Sequence, residues 1–310
     1  MSSDTRVVIL LALYQGAATI REQIDSYFSQ SHRNWSLIVS DDGSSDGGGE
    51  LIAELMHAHP GADVTLVKGP QLGFAQNFLS LLRLAGPDAP FAALSDQDDV
   101  WLDHKLERAL TLLEAVPDNC PAAYCSRTKI CDSELKEIGL SRCFKRAASF
   151  QNALVQSLGG GNTMVLNRAA LDLLQPASLE AEEIVAHDWW IYQIISGAGG
   201  QMIYDAEPGL LYRQHGANAI GANRSFMAQL GRIGWVIGGR FRNWNAVNAV
   251  ALAASAHRFT PQNRRIFSDF VEMRDAKALH RMSLMRQMGL YRQTRAATLF
   301  LWLAALFKRM

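Results

Sequence analysis

The sequence predicts an α/β fold, in which a mostly parallel sheet is flanked by helices and followed by a helical C-terminal region. Short continuous apolar runs alternate with segments whose apolar residues recur at helical spacing, as in parallel-sheet proteins. The charges also divide the chain, because residues 1–220 carry 15 Lys and Arg against 27 Asp and Glu, and residues 221–310 carry 15 against 3. We therefore expect an α/β domain over residues 1–221 and a basic helical region over residues 222–310.

The chain opens with a strand, a helix and a second strand. The run Val7–Leu13 is rich in Val, Ile and Leu and predicts a strand that is covered on both faces. Apolar residues then recur at helical spacing from Ile20 to Phe28, and residues 35–40, WSLIVS, predict the next strand. An Asp-, Gly- and Ser-rich turn follows, in which Asp46 is a candidate N-cap for the second helix.

Two further strands are predicted before residue 100. Residues 64–68 form a short apolar run, and residues 73–84, GFAQNFLSLLRL, predict a helix entered through a glycine. Residues 91–94 predict a fourth strand, and a helix begins near Lys105. The first part of the chain thus repeats strand and helix units, which is the arrangement of an open α/β sheet.

Acidic residues follow the second strand, at the edge where open α/β sheets bind ligands. Asp41 and Asp42 could accept hydrogen bonds from a nucleobase or a ribose hydroxyl group. The same residue types also build turns for backbone reasons alone, so both interpretations stay open. Asn77 is open in the same way, because it either faces a nucleotide or lies on a solvated helix face.

The segment FAALSDQDDVWLDHK, residues 91–105, ends an apolar run with Asp96, Asp98 and Asp99. If the backbone remains extended after Leu94, Asp96 and Asp98 project to the same side and can bind one hard cation. Such a cation keeps open positions for the oxygens of a diphosphate. The alternative interpretation is a solvated acidic turn in front of the helix near Lys105.

The same segment also fits a different class of enzyme. An apolar strand followed by DxDxV describes the nucleophile strand of haloacid-dehalogenase-type phosphohydrolases, in which the first Asp is phosphorylated and the second is the acid and base. That strand opens its fold, whereas 90 residues precede it here. We find no convincing later Lys and acidic pair, and we keep a phosphohydrolase as the alternative enzyme.

Five separated motifs together resemble a family 2 glycosyltransferase with the GT-A fold, which is Rossmann-like. They are LLALYQGAATIREQIDSYFSQSHRNWSLIVSDDGSSDG, LGFAQNF, LSDQDDVWLDHKL, HDWW at residues 187–190 and YRQHGANAIG at residues 212–221. The last two resemble the bacterial rhamnosyltransferase-like branch that builds O-antigen and other surface polysaccharides. The resemblance covers residues 5–221. It departs from the family at Leu13 and Gln15, where Thr and Asn usually flank the tyrosine.

The resemblance implies that five residues contact the nucleotide: Tyr14, Asp41, Asp42, Asn77 and Asp96. Among them, Asp42 would contact the base, and Asp96 the ribose or a metal-bound water. The resemblance also implies that Asp98 is the direct ligand of Mg²⁺ or Mn²⁺, beside an orienting Asp99. His215 would reach the metal or the diphosphate.

The resemblance places the catalytic base at Asp188. A helical pattern begins there, so the carboxylate would lie near a helix N-terminus, where negative charge is favoured. We expect the acceptor side to include Gly160, Gly161 and Trp189. The glycines before residue 164 permit close approach of a substrate, or they form a flexible loop. Of Trp189 and Trp190, at least one is expected to pack in the core, and the other could stack on a sugar.

Residues 223–310 predict helices alone. Apolar residues recur over 226–237 and 241–257, and Thr260 with Pro261 forms an N-cap and N1 pair for a third helix, which ends at Gly289. The last predicted helix covers residues 290–307.

The end of that helix, LFLWLAALFKRM, combines apolar and basic residues in a run too short to span a membrane. This composition predicts docking on an anionic membrane surface, and the alternative is packing onto the other C-terminal helices or across a homo-oligomer. Nucleic acid is not an expected partner, because no recognition motif accompanies the basic charge.

The four cysteines, at positions 120, 125, 131 and 143, fit neither a CxxC motif nor a metal site, so we expect reduced thiols. Residues 1–4 provide no basic region, and no cleavage site follows the first apolar run, so a signal peptide is not expected. These features predict a cytoplasmic protein, with peripheral attachment to the inner face of the cell membrane.

Together, these features predict an inverting, metal-dependent glycosyltransferase. It would move a sugar, with rhamnose favoured by the resemblance, from a nucleoside diphosphate donor to a surface-polysaccharide or lipid-linked acceptor. A non-catalytic subunit for polysaccharide assembly is the alternative from a different class.

Overall fold

A computed structural model describes residues 5–214 and 239–310. The nine strands of these residues are β1 Val7–Leu13, β2 Trp35–Asp41, β3 Val64–Lys68, β4 Phe91–Ser95, β5 Val100–Trp101, β6 Ala122–Cys131, β7 Glu137–Leu140, β8 Val165–Asn167 and β9 Gln201–Arg213. The helices before residue 200 are α1 Ile20–Phe28, α2 Gly48–Ala58, α3 Phe74–Leu84, α4 Lys105–Leu113, α5 Phe150–Ala153, α6 Arg168–Glu180 and α7 His187–Gly197. The later helices are α8 Arg240–Ser255, α9 Pro261–Asp275, α10 Ala278–Met288 and α11 Arg295–Leu306.

The strands form a single sheet with a parallel half and a mixed half. The order β3-β2-β1-β4 is parallel throughout. The sheet continues through β8, β6, β9 and β5, with β7 paired to β6. In this second half β8 is antiparallel to both β4 and β6, whereas β6 and β9 are parallel. The predicted α/β class is confirmed, and the antiparallel pairs are added by the chain that follows the carboxylates at residues 96–99.

The sequence of β1 explains its central position in the parallel half. Val7, Ile9 and Leu11 belong to one core cluster, and Val8 and Leu10 belong to the other. Alternate side chains of a strand leave on opposite faces, so apolar residues at every position bury both faces. Helices α1, α2 and α4 cover the first face, and α3, α6 and α7 cover the second.

The C-terminal helices extend the second core cluster. Leu252 of α8, Phe267 and Phe270 of α9, and Met285 of α10 are buried in the same cluster as Trp190 of α7. These helices therefore bury apolar surface against the sheet-covering helices as well as against each other. No helix among the described residues is long and apolar enough to cross a membrane.

The structure corrects several predicted boundaries. Gly47, and not Asp46, is the N-cap of α2, because the chain takes a left-handed conformation at Gly47 with φ 89°. Asp46 still accepts a hydrogen bond from the amide of Gly48 at 3.0 Å. The single helix predicted from Thr260 to Gly289 is two helices, because the backbone is extended at Ala276, with ψ 156°, between α9 and α10.

The last helix begins at Arg295, later than predicted, with Thr294 as its N-cap. Thr260 and Pro261 begin α9 as predicted, and the Thr260 hydroxyl accepts the amide of Asn263 at 3.2 Å. The predicted helix over residues 226–237 and the predicted boundary at residue 221 lie outside the described residues. All four cysteines are free.

Candidate active site

The site lies where the strand order reverses, between the carboxyl ends of β1 and β4. The chain passes from β1 outward to β2 and β3, and returns to the other side of β1 as β4. Open α/β sheets bind ligands at such a point, because the loops after the two strands diverge. The side chain of Gln97 bridges the two loops, since its Oε1 accepts the amide of Tyr14 at 2.6 Å and its Nε2 donates to the Tyr14 carbonyl at 2.8 Å.

Three carboxylates converge in the loop after β4. Oxygen atoms of Asp96, Asp98 and Asp99 all lie within 4.8 Å of one another. The sequence predicted that an extended backbone would bring only the first two together. Instead, β4 ends at Ser95 and the chain bends, which also turns Asp99 inward. Three carboxylates at this spacing form an oxygen-rich set of the kind that hard divalent cations bind.

The electrostatics of these carboxylates fit a bound cation. The pKa of Asp96 is raised to about 7, chiefly by burial and also by the carboxylates of Asp98 and Asp188. Asp99 is fully buried, and burial with the charges of Asp96 and Asp98 raises its pKa well above the usual range. Its Oδ1 has no hydrogen-bond partner among the described residues. A divalent cation would supply the positive charge and the missing partner.

A buried lysine is linked to the acidic loop, residues 96–99, through Asn162. Lys105, at the start of α4, is fully buried, and its ammonium lies 3.2 Å from the ring centroid of Trp101. Its Nζ donates to the carbonyl of Asn162 at 2.7 Å, and the side-chain amide of Asn162 donates to Asp99. Burial lowers the pKa of Lys105 well below the usual range, and the charges of Asp99 and Asp96 oppose that shift.

Two further side chains fix the loop. Arg213, near the end of β9, donates to the backbone carbonyl of Asp98 at 3.0 Å and forms an ion pair with Glu22 of α1. The hydroxyl group of Tyr27, which is fully buried in α1, lies 2.6 Å from the hydroxyl of Ser95 at the end of β4. Residues distant in the chain therefore hold the acidic loop in place.

Asp188 belongs to the same electrostatic environment. It lies in the first turn of α7, and its carboxylate raises the pKa of Asp96. Burial raises the pKa of Asp188 to about 6, against hydrogen bonds from the amide of Trp189 at 2.7 Å and the hydroxyl of Ser157 at 3.3 Å. A carboxylate with such a pKa is charged at neutral pH and is a stronger base than a solvated Asp.

The other predicted nucleotide residues are already bonded within the protein. Asp42 accepts the amides of Gln71 and Gly73 at 2.6 and 3.0 Å, and Asp41 accepts the amide of Ser44 at 2.8 Å. These bonds hold the DDGS turn against the loop that enters α3. The DDGS turn and the loop that enters α3 lie beside the end of β1, where Tyr14 is 57% exposed.

Asn77 does not face an open surface, and its contact with the nucleotide stays a prediction. It is buried, its Oδ1 accepts the hydroxyl of Ser40 at 2.5 Å, and its Nδ2 donates to the Ser40 carbonyl at 3.0 Å. Both polar groups of its amide are thus used to join α3 to β2.

Trp189 packs in the core, and its place on the acceptor side stays a prediction. It is 6% exposed, and its indole N–H donates to the carbonyl of Ala153 at 2.6 Å. Trp190 is fully buried as well, so neither indole is open to a sugar.

The predicted acceptor-side glycines make room for protein atoms. A Cβ atom on Gly161 would lie 1.9 Å from Nε2 of His187, and one on Gly160 would lie 2.6 Å from Oδ1 of Asn162. The close approach at these glycines therefore involves side chains of the protein itself, which leaves a substrate contact there without support. His215 lies outside the described residues, and its role at the metal stays a prediction.

The residues of the site that the sequence interpretation missed include Gln97, Ser157, Asn162 and Arg213. Gln97 lies between two of the predicted carboxylates, and Asn162 directly follows the predicted glycines, so both could have been found as neighbours of predicted site residues. Arg213 belongs to the YRQHG motif. Ser157 has no local signal, because its contact with Asp188 joins positions 31 residues apart.

Comparisons with known proteins agree with this geometry. The sequence profile described as "Glycosyl transferase family 2" matches residues 8–173, which is more than half of the chain. The dTDP-rhamnosyl transferase RfbG of Shigella flexneri is 28% identical over 238 residues, which cover 73% of this chain and 78% of RfbG. The putative glycosyltransferase EpsE of Bacillus subtilis is 32% identical over 115 residues, or 37% of this chain and 40% of EpsE.

Solved structures share the fold. The mannosyltransferase PcManGT from Pyrobaculum calidifontis, in complex with GDP-Man and Mn²⁺, matches 98% of this chain and 85% of its own, with a TM-score of 0.52 and 17% identity. The structure of S. aureus TarS 1–349 matches 91% of this chain and 79% of its own, with a TM-score of 0.53 and 13% identity. The predicted GT-A-like fold is confirmed by these neighbours.

Proposed function

Because the chain belongs to glycosyl transferase family 2, we propose that it transfers a sugar from a nucleoside diphosphate donor to a hydroxyl group, with inversion at the anomeric carbon and a bound divalent cation. The observation that carries this proposal is that a cluster of carboxylates suited to a cation lies near a separate carboxylate suited to act as a base. Asp96, Asp98 and Asp99 form a group suited to a cation. Asp188 is close enough to raise the pKa of Asp96, yet it belongs to a different wall of the site.

The carboxylate group serves the donor. Asp98, with Asp96 and Asp99 beside it, would hold Mg²⁺ or Mn²⁺, which neutralises the negative charge that develops on the leaving diphosphate. Lys105 and Asn162 hold Asp99 in position from beneath, and Arg213 holds the backbone of Asp98. These contacts keep the carboxylates in place although they repel one another, so little reorganisation is needed on binding.

Asp188 serves the acceptor. Its pKa of about 6 leaves it charged at neutral pH, so it can remove the proton of the acceptor hydroxyl group. The acceptor oxygen then forms a bond to the anomeric carbon as the bond to the diphosphate breaks. One displacement of this kind inverts the anomeric centre.

We also propose that the donor is dTDP-rhamnose and that the acceptor belongs to a growing surface polysaccharide, carried on a lipid. The support is that the relative from Shigella flexneri, which matches 73% of this chain, is named a dTDP-rhamnosyl transferase. A second relative, from Escherichia coli, is named for an acceptor on diphosphoundecaprenol, and it matches 36% of this chain. Such acceptors would place the protein at the cytoplasmic face of the cell membrane.

The two alternatives are less consistent with the findings. A phosphohydrolase of this type would need a later Lys and acidic pair besides Asp96 and Asp98, and the sequence offers no convincing set, whereas the family match extends across the whole parallel half of the sheet. A non-catalytic subunit would have no use for a partly buried carboxylate with a raised pKa, such as Asp188, beside the acidic loop.

Two substitutions test the division of roles, with dTDP-rhamnose, UDP-glucose and GDP-mannose assayed in Mg²⁺, Mn²⁺ or EDTA. We expect Asp98→Ala to weaken metal-dependent nucleotide binding in a thermal-shift measurement. We expect Asp188→Asn to keep that binding but to lower turnover by on the order of 10²–10⁴-fold, since it removes the base. The matched control is Asp103→Asn, at an exposed carboxylate beyond the acidic loop, which should change neither quantity.

Wild-type turnover in Asp188→Asn would show that the base is elsewhere. Release of inorganic phosphate without an acceptor would favour the phosphohydrolase, and failure of every nucleotide sugar to bind would favour the non-catalytic subunit.

A further inference from the structure

The last helix, α11, and the residue that follows it carry several large apolar side chains on the outside. Five of them are 43% to 69% exposed: Leu299, Phe300, Leu303, Leu306 and Phe307. At 3.6 residues per turn they fall within an arc of roughly 120° on one side of the helix. No charged residue lies between Arg295 and Lys308. We call these five side chains the α11 stripe.

The opposite side of α11 fixes the helix to the protein. Leu301, Ala304 and Ala305 are buried in the core cluster shared with the other C-terminal helices. Arg281 of α10 is buried, and its guanidinium donates to the carbonyl of Ala305 at 2.9 Å, which satisfies the C-terminus of the helix. The helix is therefore held by Leu301 and two alanines, with Trp302 partly buried beside them, and the stripe is left facing outward.

The surroundings of the stripe are basic. The last 35 residues contain seven Lys and Arg and neither Asp nor Glu. Arg295 precedes the stripe, and Lys308 and Arg309 follow it, all three exposed. Asp275 lies 3.7 Å from Lys308, and this pair is itself exposed. An apolar surface between basic ends is complementary to an anionic phospholipid surface.

We propose that the α11 stripe docks this protein on the surface of a membrane that contains anionic phospholipid. The five apolar side chains would enter the interface, and Arg295, Lys308 and Arg309 would meet the lipid phosphates. The helix has 12 residues and is about 18 Å long, so it would lie in the interface and not cross it. The inference rests on the proposed function only for the nature of the acceptor.

Hydrogen bonds connect the segment before α11 to the part of the site that carries Asp188, which we call the base side. Just before α11, the amide of Gln293 donates to Oε1 of Gln156 at 3.0 Å. The next residue, Ser157, donates to Asp188. Tyr291 adds a second connection, because its carbonyl accepts Nδ2 of Asn152 at 2.9 Å. Docking through α11 would therefore bring the wall that carries Asp188 toward the lipid surface, where a lipid-linked acceptor presents its hydroxyl group.

A second copy of the chain fits the stripe less well. In a symmetric pair of antiparallel α11 helices, Arg295 of one copy would lie near Lys308 and Arg309 of the other. The last 35 residues contain no carboxylate, and Asp275, 3.7 Å from Lys308, offsets only part of that repulsion. Anionic lipid removes the same repulsion, so charge favours lipid as the occupant.

Vesicle flotation tests the proposal with the full chain. We expect the protein to float with vesicles of phosphatidylglycerol and phosphatidylcholine at low salt, and to float weakly with phosphatidylcholine alone. High salt should reduce binding without abolishing it, since salt screens the basic residues and leaves the apolar contact.

Point variants are preferable to deleting α11, because deletion of residues 290–310 also removes the bonds of Tyr291 and Gln293 to the base side. The triple variant Phe300→Ser, Leu303→Ser, Phe307→Ser changes exposed positions and should weaken vesicle binding at least about tenfold. The matched control changes exposed apolar residues elsewhere, Leu179→Ser in α6 and Val250→Ser in α8, and should bind vesicles like the wild type.

The second variant pair, Lys308→Glu with Arg309→Glu, should weaken binding at low salt and show little further loss at high salt. Unchanged flotation of the triple variant would overturn the proposal. So would a wild-type dimer in light scattering that the triple variant converts to a monomer without any vesicle binding, since the stripe would then be a contact between copies.

Nucleotide-sugar binding is measured on the same samples by thermal shift. A protein that floats but binds no nucleotide sugar would refute the proposed function and leave the docking surface intact. A protein that binds nucleotide sugar but ignores anionic vesicles would refute the docking surface alone.

Discussion

Asp188 shows how burial and hydrogen bonds together set the strength of a base. Burial raises its pKa, and the bonds from Ser157 and from the amide of Trp189 lower it, which gives a pKa of about 6. The active form of a general base is the deprotonated one. Activity that depends on Asp188 should therefore be fully present at neutral pH and be lost as pH falls through about 6.

We predict that Ser157→Ala moves this acidic limb to higher pH. The substitution removes a hydrogen bond that favours the charged carboxylate, so the pKa of Asp188 rises. The measurement is kcat/KM against pH at a saturating concentration of divalent cation. Ser29→Ala is the control, because that hydroxyl bonds the carbonyl of Asp25 in α1 and should leave the profile unchanged.

If Ser157→Ala leaves the acidic limb of the kcat/KM profile at the same pH, a group other than Asp188 titrates there. The same conclusion would follow if the residual turnover of Asp188→Asn still fell as the pH dropped through about 6, because the amide of Asn does not ionise in this range.

At the scale of residues, the sequence predicted the acidic groups but not what surrounds them. Asp96 and Asp98 could be found because carboxylates at a strand end have a local pattern, whereas Asp188 was found only through the resemblance of HDWW to the family. Lys105 was predicted only as a helix start, and its contact with Asn162 joins positions 57 residues apart. Such contacts depend on how the sheet is assembled, which no local spacing encodes.

At the scale of elements, the first turn of α7 is packed against the glycine loop before β8. His187 is buried, and its ring stacks on Phe78 of α3 with centroids 3.8 Å apart. Burial lowers its pKa to about 3, so the imidazole is neutral. Gly161 is required for this packing, because a Cβ atom there would lie 1.9 Å from Nε2 of His187.

We predict that Gly161→Ala lowers the free energy of unfolding by about 1–3 kcal/mol, since overpacking a buried contact forces neighbouring atoms to shift. Urea unfolding measures the effect. Gly86→Ala is the matched control, because a Cβ atom at Gly86 meets no atom within 4 Å, and its effect should stay within about 0.5 kcal/mol.

The double variant Gly161→Ala, His187→Ala separates this contact from general damage. If the ring of His187 causes the strain, the double variant should lose less stability than the sum of the two single variants. Additive losses would show that Gly161 is needed for another reason.

Element boundaries were predicted well where the chain gives a distinct signal. Val7–Leu13 and Val64–Lys68 have the predicted bounds, because apolar runs limited by polar residues leave little choice. The break between α9 and α10 was missed, since residues 275–278, DAKA, contain neither glycine nor proline. The buried residues on the two sides of that break, Met273 and Leu284, pack in one cluster, so tertiary contacts and not local propensity fix the turn.

At the scale of the whole molecule, the change of charge near residue 221 predicted two regions, and the core crosses between them. Phe259, after α8, is 3% exposed, and its ring lies 5.1 Å from that of Phe150 in α5. A Cβ atom on Gly197, at the end of α7, would lie 2.6 Å from the Phe259 ring. The amide of Thr260 also donates to the carbonyl of Gly197 at 3.0 Å.

We therefore predict that the described C-terminal helices and the α/β part unfold in one cooperative transition. Phe259→Ala should lower the free energy of unfolding by about 3–5 kcal/mol, because it removes a buried aromatic ring from the junction. Calorimetry and tryptophan fluorescence should report the same midpoint, and a bound nucleotide sugar should raise it for both. Leu279→Ala, at an 89% exposed position of α10, is the control and should change the free energy by no more than about 0.5 kcal/mol. Two resolved transitions, of which the nucleotide sugar shifts only one, would instead show that the C-terminal helices form a separate folding unit, as the charge boundary alone suggests.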